Sequence, residues 1–296
     1  MKITALEDVQ PRERRVAVGS FDGVHLGHRE VIGGSDSVLT FEPHPTVVVA
    51  PQHAPKLLTP LAVKAELVEQ CGAQELIVVR FDAAFAARSA QEFIDEVLVG
   101  ALGATRVSVG ENFRFGQRAQ GDPRMLAADP RFQTRVTPLL EVDGEIVSSS
   151  HIRGLVLAGE VAQATRFLGA PFQLRGEVVA GDKRGRELGF PTANLVPDDA
   201  LVCPGHGVYA CLADVDGRRW GAAVNVGVRP TFVTGRGELI EAYLLDFDGD
   251  LYERELRLHF LERLRGERRF ASAEELVAQM RRDVRRTREI ASPALG

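Results

Sequence analysis

The sequence predicts two domains: a parallel α/β domain of the nucleotide-binding kind at 1–168, and an antiparallel β-barrel with a terminal helix at 169–296. Two observations lead to this division. In the first part, strand-like apolar runs alternate with helical patterns, whereas after Phe172 strand-like segments follow one another between Gly, Pro and Asp turns. A length of 296 residues with 45% apolar residues suits two domains with sizeable cores.

Four apolar runs in the first part are predicted to be buried strands, at 14–19, 37–41, 75–81 and 105–110. Thr59, with Pro60 at the first helical position, predicts a helix that runs to Gly72. Ser89–Glu92 is a capping box before an apolar stripe that stops at Gly103. The alternation implies right-handed crossovers and a parallel sheet. We expect 151–168 to form a helical connection.

The second part carries predicted strands at 207–215, 220–228, 239–247 and 256–260, and their even spacing favours a closed or nearly closed barrel. A capping box at Ser272–Glu275 opens the terminal helix. One face of that helix is apolar, which predicts packing on the barrel. Its arginine-rich remainder is interpreted as a solvated face rather than an RNA-binding one. The apolar face consists of Leu276, Val277, Met280 and Val284.

Composition excludes several classes of protein. The net charge is −5 and the 36 basic residues are dispersed, which disfavours nucleic acid as a partner. No apolar run is long enough to span a bilayer, and residues 1–15 lack the apolar core of a signal peptide. Cys71, Cys203 and Cys211 are too few and too scattered for a disulfide framework or a C-x-x-C zinc cluster. We expect a cytoplasmic protein without membrane or nucleic-acid partners, and homo-oligomer formation stays open.

The first chemical constellation follows the first predicted buried strand at 19–28, which reads GSFDGVHLGH. Glycines at a strand end allow a ligand to approach the backbone, and a helix start offers N–H groups to anions. His25 and His28, with Gly27 between them, could donate hydrogen bonds to nucleotide phosphates and stabilise a departing pyrophosphate. A metal pair or two core histidines are the alternatives, and a metal would need a third ligand nearby.

The H-x-G-H motif resembles the Rossmann-like nucleotidyltransferase superfamily. Four motifs, at 19–28, 40–45, 109–116 and 148–153, together resemble the FMN adenylyltransferase module of bacterial bifunctional riboflavin kinase/FAD synthetases. The resemblance implies that His25 and His28 meet the ATP phosphates and that Asn112 lies near the flavin phosphate. The other residues that it implies are Gly19, Phe21, Gly23, Ser149, Ser150 and Arg153 for ATP phosphates and Phe113 for the flavin.

Several of these residues have simpler interpretations. Phe113 and Phe115 alternate and could be core aromatics, with Arg114 between them facing solvent. Ser149 and Ser150 could be N-caps of the following helix, a role that is compatible with phosphate binding.

The second constellation is the glycine-rich, basic segment 181–194, which lacks the G-K-[ST] of a Walker A motif. Taken alone, it could equally be a hairpin. Its end, GFPTAN, resembles the riboflavin kinase signature, which implies that Thr192 and Asn194 supply oxygen ligands to the Mg²⁺ of Mg-ATP. The residues predicted to bind ATP phosphates here are Gly181, Lys183, Gly185 and Arg186.

Glu241 is an acid within the otherwise apolar segment 239–247, where a carboxylate is costly without a partner or a task. It resembles the catalytic glutamate of riboflavin kinases, and the alternative is that it simply faces outward. The segment 225–232 also resembles the kinase domain, which implies a flavin contact from Arg229.

The implied function is bifunctional: riboflavin is phosphorylated to FMN, and FMN is adenylylated to FAD, with ATP as co-substrate and Mg²⁺ as cofactor. Two departures from the family are visible: the segment 29–39 is short, and Ser20 stands where Asn is common. A kinase with weakened or lost adenylyltransferase activity is therefore the main alternative. A different nucleotidyl acceptor and a non-catalytic flavin-binding protein are the others.

Overall fold

The computed structural model describes residues 1–179, 189–231, 235–252 and 254–295, with backbone alone at 228–231 and 235–237. The chain divides into two compact units, Met1–Ser149 and Ser150–Gly296. The predicted boundary between functional domains, after residue 168, stays a prediction. Among the described helices, none is long and apolar enough to cross a membrane.

The first unit contains a six-stranded sheet in the order β1-β4-β3-β2-β5-β6, and all neighbouring strands are parallel. The four predicted strands are confirmed as β2 to β5, within a residue or so at each end. The two edge strands β1 and β6 were not predicted, because they are largely exposed and lack a continuous apolar run. The strands are β1 Lys2–Ala5, β2 Arg14–Val18, β3 Ser37–Glu42, β4 Glu75–Arg80, β5 Ala104–Gly110 and β6 Gln133–Thr137.

Apolar layers cover both faces of this sheet. Val16 and Val18 of β2 contribute to one buried cluster, and Ala17 between them contributes to the other. The α-helices of the unit and the connection to the barrel are α1 Leu26–Ile32, α2 Pro45–Val49, α3 Leu61–Gln70, α4 Ala83–Ala86, α5 Ala90–Glu92, α6 Pro123–Ala127, α7 Ser149–Ala158 and α8 Val161–Leu168. Short 3₁₀ turns occupy Leu6–Asp8, Pro51–His53 and Gln117–Ala119.

Helix boundaries confirm some predictions and correct others. The capping box of Ser89 and Glu92 is present, and after α5 the chain continues as a π-helical segment, Phe93–Ala101. α3 begins at Leu61, because Pro60 has extended backbone angles and is the N-cap rather than the first helical residue. The expected helical connection at 151–168 is present as two helices, α7 and α8, and Gly159 between them has a left-handed φ of 81°.

The connection from β2 to β3, which includes the short segment 29–39, contains one short helix. α1 begins at Leu26, with His25 as its N-cap, and is a regular helix of 7 residues. The guanidinium of Arg135 in β6 donates to the carbonyl oxygens of Gly33 at 2.5 Å and Glu30 at 3.1 Å. Arg135 of β6 therefore satisfies the hydrogen-bonding capacity of carbonyl groups at the C-terminal end of α1.

The second unit contains a closed antiparallel barrel with the strand order β10-β13-β12-β11-β14-β9. The predicted strand 207–215 is exact, and the structure extends 220–228 and 256–260 at both ends. The predicted strand 239–247 begins earlier, at Gly235, but ends at Leu244, so 245–247 are not part of it. A small hairpin of β7 Glu141–Val142 and β8 Glu145–Ile146 precedes α7. The barrel strands are β9 Phe172–Val179, β10 Ala193–Leu195, β11 Gly207–Val215, β12 Arg218–Thr231, β13 Gly235–Leu244 and β14 Glu255–Arg265.

The terminal helix α9, Ala273–Ala291, packs against β11, β12 and β14 as predicted, and a 3₁₀ turn, Ser292–Ala294, follows it. The Ser272 side chain accepts a hydrogen bond from the Glu275 amide, but the Glu275 carboxylate accepts from Ala271 rather than from Ser272. Half of the predicted capping box is therefore present. The arginines of α9 are exposed. The interpretation of this face as solvated rather than RNA-binding stays a prediction.

Candidate active sites

The loop after β2 turns sharply at the carboxyl edge of the sheet. Phe21 and Val24 have positive φ angles of 48° and 39°, and their side chains are buried. The amide of Gly19 donates to Leu39 and that of Gly23 to Thr59 Oγ1. The N–H groups of these predicted phosphate-binding glycines are already bonded within the protein. The glycines would therefore allow a ligand to approach the backbone closely, but they would not donate hydrogen bonds to it.

Asp22 fixes this loop to the segment before α3. Its Oδ1 accepts from the amides of Leu58 at 2.8 Å and Thr59 at 3.1 Å, and its side chain is 3% exposed. Its carbonyl oxygen accepts from Ser149 Oγ at 2.9 Å. The loop is thus held from two sides before any ligand binds.

The two histidines of the loop are stacked on each other. His25 Nδ1 accepts from the His28 amide at 3.2 Å, and the ring centroids lie 3.5 Å apart. A Cβ on Gly27 would lie 3.4 Å from the His25 ring, so a small residue suits this position. Since Nδ1 of His25 is an acceptor, its proton is on Nε2 in the neutral ring. The edge of the Phe21 ring packs against His28.

Both imidazoles are neutral at pH 7. Burial lowers the pKa of His25 to about 4, opposed in part by a backbone hydrogen bond. Burial also lowers the pKa of His28, and electrostatic interactions with His25 and with Lys64 lower it further. In the described part of the chain, no group of three His, Cys, Asp or Glu side chains could hold a metal ion, so the metal-pair alternative finds no third ligand.

Other predicted residues of the first constellation lie at the same sheet edge or beyond it. Asn112 and Phe113 follow β5, the neighbour of β2, so they emerge at the same edge as the histidine loop. Phe113 stacks on Phe115, which belongs to the core as predicted, and Arg114 is exposed. Ser149 is the first residue of α7, and Ser150 and Arg153 lie further along that helix, in the second unit.

In the barrel, Glu241 occupies the centre of a polar row across three strands. It pairs in register with Asn194 of β10 and with Asn225 of β12, which places the three side chains on one face. Asn225 Nδ2 donates to Glu241 Oε2 at 3.3 Å. Ile240 and Ala242 are fully buried on the opposite face, so Glu241 does face away from the barrel interior.

Glu241 nevertheless lines a cavity rather than open solvent. The cavity has a volume of about 440 Å³ and lies between the outer face of the barrel and α9. The predicted apolar stripe of α9 contributes to its wall, so these side chains are partly buried rather than core. Its lining includes Thr192, Asn225, Glu241, Tyr243, Phe270, Leu276, Met280 and Val284.

A second cavity of about 440 Å³ lies on the other side of Thr192. Asn194 contributes to its wall, together with Val178 and the segment 247–252 that follows β13. Thr192 and Asn194 present a hydroxyl and an amide oxygen, the hard donors that suit Mg²⁺. Thr192 belongs to the walls of both cavities.

Some predicted residues cannot be placed in this geometry. Arg229 lies in β12 with its backbone paired to Gly237, and its side chain lies outside the described structure. The predicted phosphate-binding residues Gly181, Lys183, Gly185 and Arg186 lie outside the described residues.

Two residues of these sites were missed by the sequence prediction. Asn225 is the hydrogen-bond partner of Glu241 and was visible only as part of a longer motif. Lys64 is buried in α3 and its charge acts on His28. The signal for Lys64 was its position four residues before the buried Val68, on the apolar face of the helix.

Comparison with known proteins gives matches over both units. Residues 7–151 match the family described as FAD synthetase, and residues 168–291 match the family described as riboflavin kinase. Three proteins named bifunctional riboflavin kinase/FMN adenylyltransferase are similar over most of their length. The Bacillus subtilis protein is 38% identical over 90% of this chain and 89% of its own length. The Pseudomonas fluorescens protein is 37% identical over 99% of this chain and 98% of its own length. The Escherichia coli K12 protein is 38% identical over 93% of this chain and 91% of its own length.

A solved structure has the same fold. A protein described as a macrolide-efflux protein from Streptococcus pneumoniae superposes with a TM-score of 0.89 at 30% identity, over 97% of this chain and 99% of the other.

Proposed function

The chain belongs to the bifunctional riboflavin kinase/FMN adenylyltransferase family, and on that premise we propose that it makes FAD from riboflavin in two ATP-dependent steps at two separate sites. The observation that carries the proposal is that the His25 and His28 loop lies in the first unit within the FAD synthetase match, whereas Glu241 lies in the second unit within the riboflavin kinase match. Riboflavin kinase activity alone would leave the match at 7–151 and the regular α1 unexplained.

The kinase step is assigned to the two cavities beside Thr192. The cavity of Glu241 combines aromatic and apolar side chains, which suit an isoalloxazine ring, with charged ones such as Arg265 and Asp283, and the cavity of Asn194 is left for ATP. Glu241 accepts the proton of the riboflavin 5′-hydroxyl while its oxygen bonds to the γ-phosphorus of ATP and the bond to the β-phosphate oxygen breaks. FMN and ADP result.

Asn225 and the metal ligands have supporting roles in this step. The Asn225 amide holds one carboxylate oxygen of Glu241, which leaves the other to take the proton. Thr192 and Asn194 would hold Mg²⁺, which neutralises phosphate charge when bound. Flavin contact by Arg229 and phosphate contact by Gly181, Lys183, Gly185 and Arg186 are part of the proposal.

The adenylyl transfer step is assigned to the loop after β2. An oxygen of the FMN phosphate bonds to the α-phosphorus of ATP, and the bond to the pyrophosphate oxygen breaks, so that FAD and pyrophosphate result. The neutral His25 ring donates from Nε2 to the departing charge, and His28 lies stacked on it. Asn112 and Phe113 lie at the same sheet edge, where the FMN would bind. Ser149, Ser150 and Arg153 are further proposed phosphate ligands.

The test is chromatography of the products from riboflavin, or from FMN, with Mg-ATP. Glu241→Gln should lower FMN formation by about a hundredfold or more, the usual effect of losing a general base, and should leave conversion of supplied FMN to FAD intact. His28→Ala should have the reverse effect. Glu238→Gln on the same strand and His53→Ala on the surface are the matched controls.

The outcomes separate the alternatives. Loss of both steps in both variants would show that the sites are not separate. Pyrophosphate release with a non-flavin acceptor, but not with FMN, would favour a different nucleotidyltransferase. Flavin binding without ATP consumption would rule out the enzyme.

We also propose that the enzyme works in the cytoplasm, where both ATP and flavin substrates are available. The dispersed basic residues and net charge of −5 support the expectation that neither nucleic acid nor membrane is a partner.

A further inference from the structure

Lys64 is a buried cation at the edge of the sheet where the adenylyl transfer site is proposed. It lies in the first turns of α3 and is 4% exposed. Its Nζ donates to Thr40 Oγ1 at 3.4 Å, which is long for such a bond, and Thr40 Oγ1 donates in turn to the carbonyl oxygen of Ser20 at 3.1 Å. The lysine thus reaches the ends of β2 and β3, which are neighbours in the sheet.

Two carboxylates interact electrostatically with this cation. Asp22 lies two residues after Ser20, and Glu42 ends β3 two residues after Thr40, so both come from the strand ends that Lys64 reaches. Burial lowers the pKa of Lys64, and the carboxylates of Asp22 and Glu42 oppose that lowering. Asp22 cannot turn away to solvent, because its Oδ1 is held by the amides of Leu58 and Thr59.

The carboxylates create a problem for the proposed reaction. A triphosphate and an FMN phosphate must both come to this edge, and two unit charges a few ångströms apart in a partly dry site interact by several kcal/mol. The histidines do not offset the acids, because His25 and His28 are neutral at pH 7. In this cluster, the buried positive charge is that of Lys64.

We propose that Lys64 is a positioning residue for adenylyl transfer, which neutralises Asp22 and Glu42 so that the polyphosphate can approach the His25 and His28 loop. This inference rests on the proposed function of the first unit. It assigns Lys64 an effect on the binding of anions through its neighbouring carboxylates, rather than a direct contact with phosphate.

Lys64→Met, which keeps a similar volume without the charge, is the first test. We expect the KM for ATP in FAD formation from FMN to rise about tenfold or more, because the carboxylates then repel the phosphates. Lys64→Arg keeps the charge and should restore most of the affinity. The rate of FMN formation from riboflavin in the same samples serves as an internal control for folding and concentration.

A double substitution separates neutralisation from direct contact. In the Lys64→Met background, Glu42→Gln removes one of the uncompensated carboxylates and should recover a large part of the lost affinity, whereas Glu42→Gln alone should change the KM little. No recovery of the affinity for ATP in the double variant would show that Lys64 contacts the phosphate directly. An unchanged KM for ATP in Lys64→Met would show that Lys64 has no role. Either result overturns the proposal.

Binding of inorganic pyrophosphate, measured by calorimetry, gives a readout that does not require turnover. Native protein should bind it more tightly than Lys64→Met by a similar factor, and equal binding would overturn the proposal. If the native protein makes no FAD from FMN, the proposed function fails, and the pyrophosphate comparison still decides the role of Lys64. If Lys64→Met loses kinase activity as well, native protein is compared instead with the double variant Lys64→Arg/Glu42→Gln. This variant keeps the positive charge and has one carboxylate fewer, so weaker binding of pyrophosphate than in native protein would contradict the proposal.

Discussion

At the scale of single residues, the protonation state of the histidine loop follows from its packing. His25 is an N-cap through Nδ1, is stacked on His28 and is buried, and these three features all favour the uncharged ring. Such a ring donates one hydrogen bond from Nε2 in a fixed direction. The loop is therefore organised for binding before a proton or a ligand arrives.

This packing predicts a dependence of stability on pH. Because folding lowers the pKa of His25 from 6.5 to about 4, the unfolded chain binds a proton that the folded chain does not between these values. The free energy of unfolding should therefore decrease as the pH falls from 6.5 towards 4, by roughly 3 kcal/mol from this residue when fully developed. Urea unfolding at pH 7.5 and at pH 5 measures the change.

The control is His25→Asn, which retains a capping side chain without a titratable ring. Its unfolding free energy should decrease less between the same two pH values than that of native protein. Equal decreases would mean that His25 does not carry the proton linkage.

Among single residues, those proposed to act in the reactions were easier to predict than those that hold them in place. Glu241 stands out as an acid in an apolar strand, whereas Asn194 was predicted only from the resemblance of its motif to riboflavin kinases; cross-strand register brings the two together. The support of Asn225 for Glu241 depends on which strands are neighbours, which a single sequence does not specify. Lys64 was missed for the same reason: its neighbours Asp22 and Thr40 come from other elements.

At the scale of elements, α1 shows how a short helix is stabilised from outside. Seven residues are fewer than an isolated helix needs, so most of its stability must come from contacts with other elements. Val31 and Ile32 pack in the core, and Arg135 of β6 binds the carbonyl groups at the other end from His25. An edge strand that the sequence did not predict therefore supports the predicted functional loop.

Arg135→Met should lower the free energy of unfolding by roughly 1 kcal/mol, because two carbonyl groups at the end of α1 lose a charged donor at a solvent-exposed site. Chemical denaturation measures this change. Arg118→Met, at an exposed arginine in a loop, is the matched control and should be close to neutral. A similar effect of both substitutions would be evidence against the capping role.

Element boundaries were predictable where local signals were strong and independent. The capping box at Ser89 and the buried runs of β2 to β5 are such signals. The segment 29–39 is short in the sequence, and the helix begins before it, at Leu26, so that α1 has 7 residues. The edge strands β1 and β6 lie at the limits of the sheet, and their exposed side chains resemble those of loops.

At the scale of the whole molecule, the two reactions are assigned to two compact units with separate cores. The change from alternating strands and helices to successive strands predicted two domains from the sequence, and their boundary after residue 168 stays a prediction. The sequence did not specify the strand order of either sheet, since that order depends on contacts between residues far apart in the chain.

Separate sites predict complementation between inactive proteins. A mixture of Glu241→Gln and His28→Ala proteins should make FAD from riboflavin and Mg-ATP, because FMN released by one can bind the other. Each protein alone should make little or none, and chromatography of the three reactions measures the difference. A mixture that accumulates FMN without FAD would indicate that the intermediate does not pass between molecules.

Thr192 belongs to the walls of both cavities, to which the proposed kinase step assigns ATP and riboflavin. A larger replacement such as Thr192→Leu should therefore weaken the binding of both substrates at once, whereas a change at a residue that lines one cavity alone should weaken the binding of one.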